Sequence, residues 1–417
     1  MTTDRGIVSL PALLLFFIAV CHPGALPAAE PAVPETCSRL ANGKEPARIV
    51  CFGDSITGVY YHTGGRRAYT DMLGIALQRL YPTAKIEMIN AGISGNTTRD
   101  ALARIEKDVL RHKPQLVTIM FGMNDVARVP IDEFRDNLRK IITQCRAVEA
   151  EVLLCTPNSI WDTGVRSVEK LKEYAEVIRQ LASELRVPVT DCYQDFESVH
   201  TQSERNWRLL FSDDIHPNMD GHKRFAEQIA ATISGRHYSL TEIPAPSPAI
   251  PRTLTLLRSG KPIKVLAMPP YDKFIVPALQ AVFPEAQCEV TPWVVAGKTL
   301  AEIETDARKV RGMRPDLVII AVPADAGAPD DNSFQHSFSW TMNLSLSFGH
   351  QEWDCFCIPP SVTLSELDES QRATDTLVRR LIHAQDLGMI SRRTNDTRPA
   401  SELLTEWIRQ QNAVARP

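Results

Sequence analysis

Three things are scarce in this chain of 417 residues, and each scarcity closes a class of function. Basic blocks are missing. The 46 lysines and arginines are scattered among 50 acids, for a formal net charge of −4, which offers no stripe to a nucleic-acid backbone. Beyond Glu30, no apolar run reaches the ~20 residues needed to cross a bilayer. The nine cysteines include no pair spaced, with a partner pair, as a zinc site would be. His216 and His222 also miss the spacing of about four that a helical zinc pair requires. What remains is ordinary globular composition, 44% hydrophobic and 23% charged, at a length that suits two domains. The apolar residues suffice for full cores without disulfide or metal staples.

The amino terminus is the exception. Arg5 precedes an apolar run from Ile7 to Cys21, and small residues follow as far as Glu30. That order reads as a secretory signal peptide over 1–29, cleaved near Ala28 or Ala29. Leu26 or Pro27 makes an imperfect cleavage site, and Val20 spoils a lipoprotein attachment reading at Cys21. The expected location is therefore periplasmic or secreted, with no membrane span after cleavage. Cys21 would leave with the signal. Cys51, Cys155, Cys355 and Cys357 lie in apolar runs, where a cysteine usually packs as a small hydrophobe.

From Ala47 onward, strand-like and helix-like segments alternate. Apolar runs at Arg48–Phe52, Lys85–Asn90, Leu116–Phe121, Val152–Thr156 and Val187–Asp191 read as strands. Amphipathic stretches at Tyr69–Tyr81, Thr97–His112, Pro130–Ala147, Val168–Leu185 and Gly221–Ile233 read as helices. Such alternation implies a parallel sheet covered by helices on both faces, with working residues at the carboxyl ends of its strands. The expected units are 45–236, a proline-rich spacer over 237–261, and a second α/β unit over 262–415. Pro244, Pro246, Pro248 and Pro251 favour an extended spacer.

The second unit repeats the first. Leu77–Ala84 matches Leu279–Ala286 at an offset of 202, Lys113–Val117 matches Arg314–Val318 at 201, and Cys155–Ser159 matches Cys357–Ser361 at 202. Three matches in one order at nearly one offset read as an internal duplication.

Four short blocks carry the chemistry: Gly53-Asp-Ser-Ile-Thr57, Asn90-Ala-Gly-Ile-Ser94, Gly122-Met-Asn-Asp125 and Asp213-Asp-Ile-His-Pro217. In this order they resemble the SGNH (GDSL-type) hydrolase family, over about Ala47 to Ile233. The resemblance implies a three-layer α/β/α, flavodoxin-like fold and a serine esterase that needs neither cofactor nor metal. A serine hydroxyl is a poor nucleophile until a base takes its proton, and His216 is the candidate base for Ser55. A carboxylate must hold the other imidazole nitrogen. Asp213 has the family's Asp-x-x-His spacing, with Asp214 as its rival. By the resemblance, the oxyanion donors are the backbone N–H groups of Ser55 and Gly92 and the side-chain amide of Asn124. Thr57 stands where the second glycine of a Gly-x-Ser-x-Gly elbow would fall, so the commoner esterase elbow is absent.

Each block also has a plain reading, with Ser55 as a helix cap, Asn124 as a turn residue and Gly92 as a loop glycine. His62, Gly64, Gly65 and Arg66 read as a flexible polar loop that could border the pocket, and His222 as a surface residue. In the second unit Ser55 aligns with Tyr271, Asn124 with Asp325, and His216 with Arg398. Gly92 falls on Val294, or on Gly297 if a short gap is allowed. That unit is expected to lack the chemistry and to pack on the first, completing a pocket or an interface. Acetylated sugars, lysophospholipids, thioesters and other short acyl esters are the substrates the resemblance implies. The competing reading is a non-catalytic carbohydrate- or protein-binding module built from the two units.

Overall fold

Residues 1–2, 33–349 and 351–415 are described by the computed structural model of the chain. The amino-terminal segment read as a signal peptide lies outside the described residues, apart from Met1 and Thr2. Among the described residues, no helix is long and apolar enough to cross a membrane.

Two five-stranded parallel sheets organise everything else. The first contains β1 (Pro46–Gly53), β2 (Lys85–Gly92), β3 (Leu116–Met120), β4 (Glu151–Cys155) and β5 (Val189–Thr190), in the order β2-β1-β3-β4-β5. β3 is buried at every position, as a strand covered on both faces must be. Helices Tyr69–Leu80 and Met219–Ser234 pack against one another, and Thr98–Asp108, Ile131–Ala147 and Val168–Leu185 form a second row. The stretch expected as one helix over Thr97–His112 breaks at Val109 and resumes as a single 3-10 turn, Leu110–His112.

The second sheet contains β6 (Ile263–Ala267), β7 (Cys288–Pro292), β8 (Leu317–Ile320), β9 (Asp354–Cys357) and β10 (Gly388–Met389), in the order β7-β6-β8-β9-β10. Its strand order repeats that of the first, and so does much of its register. Ile49 pairs with Met88 and Leu116, while Val265 pairs with Val290 and Leu317. Those partners are related by the offsets of 202 and 201 read from the sequence. Lys113 and Arg314 even share one left-handed backbone conformation, with φ of 49° and 48°. The fourth strands differ. Leu116 pairs with Glu151 but Leu317 with Asp354, so the sheet places Cys155 over Ile358 rather than Cys357. Between its third and fourth strands the second half carries two residues more than the first, so the offset rises from 201 to 203.

The proline-rich stretch is not a free spacer. Pro251 opens a helix, Pro251–Arg258, at the position where its missing N–H costs nothing. Upstream, the carbonyls of Pro244, Pro246 and Pro248 accept hydrogen bonds from Arg67 and Arg66, which pins the segment to the first half. Cys37, Cys51, Cys145, Cys155, Cys192, Cys288, Cys355 and Cys357 are all free thiols.

Candidate active site

β1 ends at Gly53, which pairs with Gly92 at the end of β2 and Met120 at the end of β3. Three loops therefore leave the sheet side by side. In the first, the Asp54 carbonyl accepts the N–H groups of Thr57 and Gly58, and its Oδ1 accepts that of Ile56 at 2.9 Å. Ser55 sits inside this tight turn, 4% exposed. It caps no helix, since the next begins at Tyr69.

Ser55 Oγ lies 2.9 Å from His216 Nε2, and His216 Nδ1 lies 2.8 Å from Asp213 Oδ2. The loop carrying both partners is closed by a bridge between Phe211 and Pro217 and by the Ser212 N–H donating to the His216 carbonyl. Asn218 then caps helix Met219–Ser234 through its Oδ1. This closure turns the segment back on itself, so a carboxylate three residues before the imidazole can reach it. Asp213 Oδ1 also accepts the backbone N–H groups of Ile215 and His216. Burial favours the neutral acid, but the His216 charge and these hydrogen bonds outweigh it and hold the carboxyl below the ordinary aspartate range. The rival Asp214 points elsewhere, to His336 Nε2 at 3.2 Å and Trp340 Nε1 at 3.3 Å.

Asn124 follows β3 and is buried beside the same turn. Its Oδ1 accepts from Arg166, which directs Nδ2 toward Asp54 Oδ2 at 3.2 Å and the Asn96 carbonyl at 3.1 Å. Both contacts are long, leaving this amide able to share a proton with a third acceptor.

Gly92 does not fit the donor role expected of it. Its N–H is already donated to Asn90 Oδ1 at 2.9 Å, and a Cβ there would meet Gly58 N at 2.2 Å. Gly92 is a close-approach glycine that lets the Ser55 turn lie against β2. Three residues on, Gly95 has φ +76° and open space around it, next to the Asn96 carbonyl that holds Asn124. Its N–H, like that of Ser55, donates no hydrogen bond among the described residues. Gly95 is therefore the backbone donor available at this edge of the site.

Behind His216 lies a stack of imidazoles. His62 faces it with ring centroids 4.4 Å apart and planes 12° from parallel, and His222 stands 5.9 Å behind His62. The surface reading of His222 is wrong. It is fully buried, its Nδ1 accepts the Tyr69 N–H at 2.9 Å, and burial, then the His216 charge, pulls it down to about 3. Burial likewise, then His216 and His222, holds His62 well below the usual histidine range. Both stay neutral, so neither puts a fixed charge beside the site. The flexible-loop reading of the His62 segment fails with it. Tyr61–Thr63 forms a 3-10 turn, Gly64 and Gly65 take positive φ, and Arg66 reaches Pro246 and Pro248 rather than Ser55.

In the second half, Tyr271 fills the position matching Ser55, buried, with its hydroxyl 3.0 Å from Thr363 Oγ1. Asp325 is exposed, and Arg398 pairs with Asp396 at 2.6 Å. Among the described residues of that half, these positions assemble no nucleophile and base. Among the described residues, no cluster of histidine, cysteine and carboxylate groups could hold a metal ion. A surface cavity of about 1150 Å³ lies at the amino ends of the first sheet around Arg39, Lys113 and Glu149, at the opposite end from Ser55.

Sequence reasoning missed Asp54, Arg166 and Gly95. Asp54 and Gly95 stood beside residues already singled out. Arg166 carries no sequence signal at all.

Comparison with known proteins agrees with where this site lies. The profile of the GDSL-like lipase/acylhydrolase family matches residues 51–224. An acetylxylan esterase of Geobacillus stearothermophilus is 33% identical over 169 residues, spanning 38% of this chain and 76% of that protein. An isoamyl acetate-hydrolyzing esterase of Saccharomyces cerevisiae is 27% identical over 210 residues, spanning 45% of this chain and 85% of that protein. Among solved structures, the acetylxylan esterase Axe2 of Geobacillus stearothermophilus covers 45% of this chain and 94% of its own, at 30% identity and a TM-score of 0.40.

Proposed function

Because this chain belongs to the GDSL-like lipase/acylhydrolase family and is thereby a carboxylic ester hydrolase, we propose that it cleaves acetyl and other short acyl esters through an acyl-Ser55 intermediate. The observation that carries the mechanism is the chain of contacts Ser55 Oγ–His216 Nε2–Asp213, at 2.9 and 2.8 Å. His216 Nε2 takes the hydroxyl proton as Oγ attacks the ester carbonyl, while Asp213 holds the Nδ1–H tautomer and faces the imidazolium that forms. Negative charge then develops on the former carbonyl oxygen. Its donors in this reading are the Ser55 and Gly95 N–H groups and Asn124 Nδ2. His216 returns its proton to the leaving alkoxide, the C–O bond breaks, and the acyl group stays on Ser55. Water then attacks with His216 again as base, releasing the carboxylic acid and the free serine.

The acyl group is taken to be small because Ser55, Asn124 and His216 are only 4, 5 and 8% exposed. The relatives point the same way, since acetylxylan esterase and isoamyl acetate-hydrolyzing esterase are both named for acetate esters. The alcohol side is proposed to be a carbohydrate, met outside the cytoplasm if the amino-terminal segment directs export.

A p-nitrophenyl ester series with acetyl, butyryl and octanoyl groups tests the reading. Acetyl should be turned over fastest, and Ser55→Ala should lower kcat by about 10⁴-fold or more. Activity that survives the substitution would end the acyl-serine mechanism and return the chain to the binding-module reading.

A further inference from the structure

The second half, bare of chemistry itself, reaches into the site of the first. Its helix Asp331–Ser345 presents His336, Trp340 and Asn343 at i, i+4 and i+7, one face of a helix. That face meets three consecutive residues of the loop carrying the acid and the base. Asn343 Nδ2 donates to Ser212 Oγ at 3.0 Å and to Asp213 Oδ2 at 3.3 Å. His336 and Trp340 hold Asp214. Asp213 Oδ2 is the oxygen nearest His216 Nδ1, and the other donors to this carboxylate come from its own loop, at Ile215 and His216. Asn343 is completely buried, and its carbonyl accepts from Arg311 at 2.9 Å. Arg311 in turn lies 4.3 Å above the Tyr61 ring, which stands edge-on to His216.

We propose that Asn343 is a positioning residue for the base, acting through Asp213, and that helix Asp331–Ser345 of the degenerate copy is the clasp that keeps the Asp213–His216 loop in register with Ser55. The inference rests on the acyl-serine reading above. A loop without regular structure has many near-equal geometries, and a carboxylate that swings by about an ångström mispoints the imidazole it orients, at a cost of about 10²-fold. Contacts within the loop fix its shape, and the first half ties its backbone through Trp161 N–H on the Asp214 carbonyl and Asn158 Nδ2 on the Ile215 carbonyl, but neither of these reaches the Asp213 carboxylate. The only side-chain contacts from the facing half that grip Ser212, Asp213 and Asp214 together, among the described residues, come from this helix face.

Two full-length variants test it against p-nitrophenyl acetate. Asn343→Leu keeps the volume and removes the donor, so kcat should fall about tenfold with KM within about twofold. Asn343→Asp keeps the shape and places a carboxylate against Asp213. His216 is faced by Asp213, Asp54, His62, His222 and Tyr61, with Arg311 and Arg166 on the far side of Asp213, and negative charge added against Asp213 favours the imidazolium form of His216. The low-pH limb of kcat/KM should therefore move to higher pH, by half a unit or more, and kcat should fall further. Asp386 joins the halves elsewhere, pairing with Lys223 at 3.0 Å and Arg67 at 2.6 Å, so Asp386→Asn should lower Tm and leave kcat and the pH profile alone. Should Asn343→Leu fail to fold, the Asn343→Asp profile decides. If the Asn343 variants change only Tm, as Asp386→Asn does, the residue merely fills the junction and the proposal is overturned. Failure of the underlying mechanism reads out separately, as activity retained in Ser55→Ala.

Discussion

Replacing Asp54 by asparagine would separate two effects of one buried carboxylate. Asp54 is 1% exposed and accepts from Ile56 N–H at 2.9 Å and from Asn124 Nδ2 at 3.2 Å. Burial pushes its pKa from 3.8 up to about 6, against the pull of the Ile56 N–H and the His216 charge. A folded-state pKa above the unfolded one means a contribution most favourable below pH 4 and lost as pH rises through about 6. At pH 7.5 the group is ionised in both states, and a pKa raised by about two makes it cost the fold about 3 kcal/mol. Near pH 4.5 that cost has dropped to about 1 kcal/mol. An asparagine keeps an oxygen for Ile56 but turns an amide toward the Asn124 amide, so that contact is lost. At pH 7.5 it is a hydrogen bond to a charged group, worth about 1.5–3 kcal/mol, and at pH 4.5, with Asp54 protonated in the fold, one to a neutral acid, worth about 0.5–1.5 kcal/mol.

The difference between the two pH values isolates the titration, because the shifted pKa already contains the hydrogen bonding of each protonation state and the variant does not titrate there. Relative to wild type, Asp54→Asn should gain about 2 kcal/mol more at pH 7.5 than at pH 4.5, measured by urea unfolding at both. Turnover should move the other way. With the charged one of its two acceptors gone, Asn124 is aimed only by Arg166 and the Asn96 carbonyl, and kcat at pH 7.5 should fall by up to about 10–100-fold, the rate equivalent of that hydrogen bond. An equal stability change at the two pH values would refute the burial argument. An unchanged kcat would show that Asn124 is aimed without Asp54.

Two further outcomes follow from the same geometry. Asn124→Ala removes an oxyanion donor and should lower kcat by about 10²–10³ with little change in KM. A loss confined to KM would make Asn124 a substrate-binding residue instead. Asp386→Ala strips Lys223 of its nearer partner, 3.0 Å away with both side chains 4% exposed, leaves it Asp220 at 4.0 Å, and takes the carboxylate from Arg67 as well. Breaking a buried pair in this way should cost about 3 kcal/mol, visible as a fall in Tm, while kcat measured well below that Tm stays near wild type. Unchanged Tm would mean that water reaches the junction.

Legibility followed the range over which each feature is decided. β3 could be read because a strand buried on both faces must be apolar throughout. The Asp213–His216 pair could be read because both partners sit in one short loop. Gly92 is the glycine inside the block, and the block does not show that its N–H is already spent, since that depends on the Asn90 side chain. His222 looked like a solvent-facing residue on an amphipathic helix. Its burial is set by Tyr69, 153 residues earlier in the chain. The proline-rich stretch misled for a different reason. Pro251 starts a helix as readily as it extends a spacer, and only the residues after it decide between the two. Arg166 and Asn343 act purely through distant contacts, which no local pattern encodes.

The duplication explains why a chain with two such sheets has one site and still needs both. Strand order and most of the register survive in the second half, because both depend on apolar strands that tolerate exchange within their class. The site does not depend on the sheet in that way. It needs a small residue in the turn after the first strand, and Tyr271 occupies that position with a ring packed into the second core. With that turn filled, a base at the position matching His216 would face no nucleophile, and Arg398 stands there, paired with Asp396. What the second half does offer is contact with the site of the first. Asn343, His336 and Trp340 make such contacts, whereas Asp325 and Arg398, at the positions of the lost chemistry, are exposed. The copy therefore acts where it faces the loop of the first half, not where its own active site would have been.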